Sequence, residues 1–352
     1  MEFKLYGCLM AKLVYTEEEL FRDRDDLTPQ TIGGQRLHGG FDPDGGYHPP
    51  RSLVRNEAIA AWTEALRARG GELLDADASL LRGPSVPNVA QQCLLIREGL
   101  GQTFWNGLTT TGKIEGRGRM LAEVEFPDLQ DLVVEDISQM AIGHLNGGLL
   151  KAHGWDEGGQ PDLGIGGHDV MWFVARDLAF GEVDYPDIDP PGNIAREQDD
   201  RLMPDLPQAY EGLVSFLMNL LMIEFRAEIG FSNTQKILRT QDVFIGRRGE
   251  AEEAAEIIER IRTDEEIHVI SLRLYLGELR NAHLKTVDGR EVLGSEFIDP
   301  FWEGLVHWAT VERPVLTAQQ QYETIKARIL EHPEGERILE AFDALSDLKK
   351  AA

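Results

Sequence analysis

Two long spans of helical periodicity, roughly 208–241 and 250–283, dominate the second half of the chain. In the first, Leu213, Leu217, Leu220, Glu224, Ala227 and Phe231 step by three and four along one face, so Glu224 lies inside an apolar stripe. In the second, His268, Leu272, Tyr275, Leu279 and His283 follow the same spacing. A carboxylate buried without a partner neutralises, finds a basic group or coordinates a metal. Arg226 and Arg239 do not share the face of Glu224, so no basic partner is at hand locally. The longest apolar stretch, Leu213 to Ile223, is interrupted by Ser215 and Asn219 and stops at Glu224, too short and too polar to span a bilayer.

Glu265 and His268 are three residues apart within the second span, so both project to one face and can grip a single metal ion. A plainer reading stands beside this one. Asp264, Glu265 and Glu266 form an acidic turn open to water, and Thr263 with Glu266 fits a capping box. For Glu224 the plainer reading is a helix or subunit boundary, with a salt bridge to a distant arginine.

The rest of the chain divides by composition. Residues 1–125 carry paired glycines (Gly33-Gly34, Gly39-Gly40, Gly45-Gly46) and Pro49-Pro50, which punctuate loops. Helices are expected over Ser52–Arg69 and Val89–Leu100, with a short hairpin or irregular chain over Phe104–Glu125. From Pro127 onward the pattern is helical, with segments at about 128–151 and 167–181 ahead of the two long spans. A loop from Asp184 to Pro207, with five prolines, separates them. A turn is expected at Asp288-Gly289. In the tail, Asp299 reads as an N-cap with Pro300 at the first helical position. A stripe of Phe301, Trp302, Leu305, Trp308 and Val311 follows, and a last helix is expected from Pro333 to near Leu348. The expected organisation is a loop-rich extension over 1–125, a helical bundle over 126–285 and packing helices over 286–352.

Composition limits the partners. The chain has 352 residues, with 61 acidic against 35 basic, a formal charge of -26. Such a surface repels nucleic-acid phosphates and anionic membranes. Two cysteines, Cys8 and Cys93, exclude a disulfide framework and any four-cysteine zinc or iron–sulfur site within one chain. The first residues lack a basic stretch, apolar run and small-residue cleavage site in succession, so a soluble, cytoplasmic protein is the default expectation. Nucleotide and flavin fingerprints, a His-Glu-x-x-His motif and a Gly-x-Ser-x-Gly elbow are all missing.

Asp264-Glu265-Glu266-Ile267-His268-Val269 resembles the metal-binding helix of the ferritin-like di-iron carboxylate proteins, such as bacterioferritin and rubrerythrin. Leu220 to Glu228 resembles the preceding helix of that family, which contributes one Glu from an apolar face. The resemblance covers residues 128–283 and implies a mainly α, ferritin-like four-helix bundle. Such bundles take a Glu from each of two helices and a Glu-x-x-His from each of the other two. By position it implies Glu224 as a terminal ligand, Glu265 as a bridging carboxylate and His268 as a terminal imidazole. The other half is expected from 128–151 and 167–181. There, Glu135 follows Leu132-Val133-Val134, and His168 precedes Asp169-Val170. Ile165 stands where the second Glu-x-x-His would have its Glu, so the full motif occurs once. Asp136 competes with Glu135, and His144 or Glu228 can fill the remaining place. Tyr275, two turns beyond His268, is either a hydrogen donor beside the metals or a core tyrosine.

The resemblance implies two iron ions, or iron with manganese, bound in a mixed oxygen–nitrogen shell. The expected activity is then a non-haem oxidase or oxygenase that uses dioxygen on a small, apolar organic substrate. An iron-oxidising or storage protein is one alternative, although its four-helix subunit needs about half this length. A non-catalytic acidic helical scaffold or interaction protein is the other. A single metal, or a bundle that binds none, also stays open, as does a homodimer.

Overall fold

The computed structural model describes residues 11–76, 85–196 and 200–346. Cys8 and most of the N-terminal stretch read for a leader lie outside these residues, as does Leu348. The protein is mainly helical. A short helix α1 (Glu17–Leu20) is followed by small strands β1 (Thr31–Ile32), β2 (Gln35–Leu37), β3 (Gly40–Phe41) and β4 (Tyr47–His48). Helices α2 (Ser52–Ala68), α3 (Val89–Arg97), α4 (Gln102–Gly118), α5 (Leu129–Leu132) and α6 (Leu150–Gly158) come next. Strand β5 (Ile165–Gly166) then leads into α7 (His168–Phe180). The long helices α8 (Gln208–Arg239) and α9 (Arg248–Asn281) follow, then a hairpin of β6 (His283–Lys285) and β7 (Glu291–Leu293). Helices α10 (Ser295–His307), α11 (Arg313–Leu330) and α12 (Gly335–Ala344) complete the chain. No described helix is long and apolar enough to cross a membrane.

Helices α8 and α9 pack against each other, α7 packs on both α4 and α9, and α6 packs on α4 and α7. Along α8, Leu213, Leu217, Leu221 and Phe225 are buried in the main core with Leu272, Leu276 and Leu279 of α9, while Leu220 and Ala227 of the expected stripe are half-buried. Burying such a side chain contributes about 1.5–3 kcal/mol. A second core joins α4, α7 and the far ends of α8 and α9 through Leu108, Trp172, Phe231 and Ile258. Val86, Leu95, Ile329 and Phe342 form a third, smaller core that ties α11 and α12 to α3.

Three segments depart from the sequence reading. Phe104–Glu125 is helical over most of its length, as α4 with a 3-10 turn at Arg119–Ala122. Gly112 serves close helix packing and not a hairpin: a Cβ there would stand 2.8 Å from the Phe173 ring and 3.0 Å from Cβ of Trp172. The segment 128–151 is not one helix. It breaks after α5, where Val133 is extended and bridges to Leu284. It resumes through a 3-10 turn at Ala141–His144 and a wide turn at Leu145–Leu149, in which Gly148 adopts φ +126°. In the tail, α10 starts at Ser295, ahead of Asp299-Pro300, and Asp299 accepts two hydrogen bonds from Arg280 at 2.6 and 2.9 Å.

Candidate metal centre

Buried histidines and carboxylates converge between α4, α6, α7, α8 and α9. Their ligand atoms form two adjoining groups, His153–Glu157–Glu224–His268 and Glu157–His168–Glu265–His268, each with all atoms within 4.8 Å of one another. Helix α8 supplies Glu224 from its apolar stripe, and α9 supplies Glu265 and His268 one turn apart. Helix α7 begins at His168 itself. Glu115 of α4 closes the group, hydrogen-bonded to Glu157, with its Oε2 3.9 Å from Nδ1 of His168.

The two halves are joined by an unusual loop. Glu157 ends α6 and His168 opens α7, so a Glu and a His eleven residues apart meet across Gly158–Gly167. The loop turns on Gly159 (φ +65°), where a Cβ would collide with the Ile165 carbonyl oxygen. A Cβ on Gly167 would lie 2.6 Å from the Glu157 carbonyl oxygen. Strand β5 then pairs in parallel with β2, Arg36 opposite Ile165 and Leu37 opposite Gly166. This pairing holds the loop against the segment that carries His38.

Both central imidazoles are held in the same way. Nδ1 of His268 faces Glu265 Oε2 at 2.9 Å and Glu157 Oε1 at 3.1 Å, while its Nε2 donates to Asp156 Oδ2 at 3.1 Å. Nδ1 of His168 faces Glu265 Oε1 at 3.1 Å and Glu157 Oε1 at 3.6 Å, while its Nε2 donates to Asp264 Oδ2 at 3.3 Å. Each aspartate is itself fixed. Asp156 pairs with Arg51 and, at 2.8 Å, with Arg55. Asp264 accepts from Tyr47 Oη at 2.9 Å and meets His38 Nε2 at 2.9 Å. A carboxylate behind the outer nitrogen of a ligating histidine fixes its tautomer and raises its basicity. Arg51 takes a left-handed backbone, φ 53°, as it enters this network. His153 stacks on His268 with ring centroids 3.8 Å apart and meets Glu224 Oε1 at 3.0 Å.

The charges fit cations. Burial, followed by the neighbouring carboxylates, pushes Glu115 and Glu224 well above the usual carboxylate range. Burial also disfavours the ionised forms of Glu157 and Glu265. For Glu157 a hydrogen bond from Glu115 and the imidazoles outweigh it and pull the carboxyl well down. For Glu265, His268 and His168 outweigh both burial and the Glu157 charge, bringing it to about 2. Burial opposes charge on His168 and His268 too, but Glu265 and its neighbours raise both well above the ordinary value. Three inward atoms, His168 Nδ1, Glu157 Oε1 and Glu265 Oε1, make no well-aligned hydrogen bond among the described residues. Buried polar atoms of this kind are completed by an ordered water or an ion. The mixed oxygen–nitrogen donor set could hold a metal ion.

Of the residues singled out from sequence, His168, Glu224, Glu265 and His268 stand together. Glu135 does not join them. It lies in the chain after α5 and holds Nδ1 of His283 at 2.7 Å on the surface, because the break in 128–151 turns it away. Asp136 is exposed and caps Ser138. Nδ1 of His144 donates to the Met140 carbonyl, and Glu228 pairs with Arg262 at 2.6 Å. Tyr275 is buried in the core near Ser271, and burial raises its hydroxyl to about 12. Glu115, His153 and Glu157 were not legible as site residues, although the Asp-Glu pair at 156–157 repeats the pair at 264–265.

Comparisons with protein-family models, with curated proteins and with solved structures return no match.

Proposed function

We propose that this chain is a non-haem oxidase or oxygenase with two iron ions, or iron and manganese, on a ferritin-like helical frame. The observation that carries the reading is the pairing of two Glu–His units, Glu157 with His168 and Glu265 with His268, flanked by the single acids Glu115 and Glu224. Ferritin-like centres draw on the same set, a Glu from each of two helices and a Glu–His pair from each of the others. Here one pair is split between α6 and α7, so those helices together stand for one member of a four-helix bundle.

Glu157 and Glu265, which face both imidazoles, would lie between the metals. Glu115 with His168, and Glu224 with His268 and His153, would hold one metal each. When bound, two ferrous ions supply electrons to dioxygen. The chain's own residues do the rest. Asp156 and Asp264 keep a proton on the outer nitrogen of each imidazole, so that Nδ1 presents its lone pair inward. Leu217, Leu221 and Trp172 exclude water from the neighbouring helices. Tyr275 keeps its proton at neutral pH, as a hydrogen donor must. The length of the chain and its flanking helices favour an enzyme over a storage subunit.

The test begins with iron and manganese content of the full chain, compared with Glu265→Ala and His268→Ala. Metal in the wild type and little in either variant is expected. Equal content in all three, or none in any, sinks the reading and leaves an acidic helical scaffold. Oxygen uptake that outruns added ferrous iron is the signature of an oxidase. Uptake that stops when the iron is used up would indicate iron oxidation instead.

A further inference from the structure

Helices α3, α4, α8 and α11 line an open cleft of about 880 Å³. That volume falls within the range of small-molecule sites. Its walls are largely apolar, with Phe104, Leu108, Ile223, Phe231, Ile237 and Ile325. Trp172 and the candidate ligand Glu115 also line it, so the cavity reaches the edge of the proposed centre. Uncharged polar side chains such as Gln92, Asn106 and Thr234 share the lining, and its two cations are Arg226 of α8 and Arg313 of α11. Arg313 donates to the Ile194 carbonyl at 2.9 Å and lies over the Trp308 ring at 5.1 Å. Arg226 has no hydrogen-bond or ion-pair partner among the described residues. Burial, and then the charge of Arg313, lowers its pKa to about 10. In a protein of net charge -26, two neighbouring guanidinium groups that line a cavity and make no ion pair among the described residues stand out, Glu115 being the cavity's one carboxylate. Both guanidinium groups are half-buried, and a partly desolvated guanidinium with no anionic partner is an anchor for an anionic ligand.

We infer that this cavity binds an amphiphile with a long apolar body and a carboxylate head, the head on Arg226 and Arg313 and the body along the apolar wall toward Glu115. Guanidinium groups match carboxylates in charge and in planar geometry. A singly charged head costs less to bury than a doubly charged phosphate. The inference rests on the oxidase reading for the fate of the bound molecule, but not for its binding.

The test uses the full chain stripped of metal, titrated with dodecanoate, dodecanol and dodecyl phosphate, with tryptophan fluorescence as the readout. Dodecanoate is expected to saturate and to bind at least ~10-fold more tightly than dodecanol. Arg226→Gln and Arg313→Gln should each weaken dodecanoate by roughly 10-fold, leave dodecanol unchanged, and unfold no earlier than the wild type. Arg226→Lys, which keeps the charge, should retain most of the affinity. Unsaturable dodecanoate, equal affinity for acid and alcohol, or indifference to both glutamine variants overturns the inference. Tighter binding of dodecyl phosphate overturns the carboxylate assignment. Metal content of the same preparations reports on the oxidase reading separately. Dodecanoate held by a chain that takes up no metal sinks that reading and leaves the carboxylate site standing.

Discussion

Asp156 Oδ2 stands 3.1 Å from Nε2 of His268, and this contact decides which nitrogen of the ring faces the carboxylates. The aspartate is also the counter-charge for Arg51 and Arg55, so the same residue orients a candidate ligand and neutralises two buried cations. These two duties are read by different measurements, since the asparagine and alanine variants both remove the counter-charge of Arg51 and Arg55. Asp156→Asn keeps the shape and an acceptor oxygen but drops the charge, and metal affinity should fall about 10–100-fold. Asp156→Ala leaves both arginines without their partner and should cost about 3–5 kcal/mol in the metal-free chain. Metal titration and urea denaturation of the two variants read the effects apart. Wild-type affinity in Asp156→Asn would remove the aspartate from any part in the site.

Glu157 and Glu135 offer a direct contrast. Glu157 sits among His153, His168 and His268, whereas Glu135 holds His283 at the surface. Glu157→Ala should abolish metal retention. Glu135→Ala should leave it intact and change stability by less than about 1 kcal/mol, the range of an exposed ion pair. Metal content and unfolding midpoints of both variants check this. Loss of metal in Glu135→Ala with retention in Glu157→Ala would reverse the assignment.

The half of the site on α8 and α9 could be read from sequence because both helices are long, amphipathic and continuous. An acid inside a regular stripe is visible as an exception to it. Of the other half only His168 was legible, and the rest was hidden for three physical reasons. Glycines at 107, 112 and 116 lower local helix propensity, yet at 112 the missing Cβ lets α4 approach α7, so the helix carrying Glu115 reads locally as irregular chain. Glu157 and His168 are brought together by a loop folded on Gly159 and Gly167, not by the i, i+3 spacing of one helix. Glu135 had the right apolar neighbours, but pairing of Val133 with Leu284 ends the helix before it. Of the tertiary partners that complete the site, His38, Tyr47, Arg51 and Arg55 come from a stretch that local punctuation marks only as loop and helix start.

Burial, and then the charges of Glu265 and Glu157, push the Glu224 carboxyl well above the usual range and so favour its neutral form. A neutral acid in an apolar stripe contributes little to folding. Glu224→Leu should therefore leave the metal-free chain within about 1 kcal/mol of the wild type, or more stable, while metal affinity collapses. The lost contact is the 3.0 Å one to His153, which keeps Glu157 Oε1 at 3.4 Å. Denaturation of the metal-free variant decides the point. A loss of several kcal/mol would mark Glu224 as half of a structural ion pair and not as a ligand in waiting.

Glu278, on α9 beyond the candidate centre, gives the chain a pH dependence of its own. Its side chain is buried, with Arg69 at 3.2 Å and the Ile142 amide donating to it at 3.0 Å. Burial raises the carboxyl from 4.5 to about 7, against the lowering pull of the Ile142 and Ala141 amides and of Arg69. A folded-state pKa above the unfolded one means that the native state binds the proton more tightly. Its contribution is fully present below about pH 4.5 and is lost as the pH rises through about 7. The loss is roughly 3 kcal/mol across that window. Glu278→Gln keeps the shape and has no proton to lose. The stability of the variant relative to the wild type should climb between pH 4.5 and 7 and level off above. Urea denaturation of both metal-free chains at several pH values measures the difference, and the other titrating groups cancel because both chains share them. A difference that stays flat across the window would show that Arg69 and the two amides hold Glu278 ionised throughout.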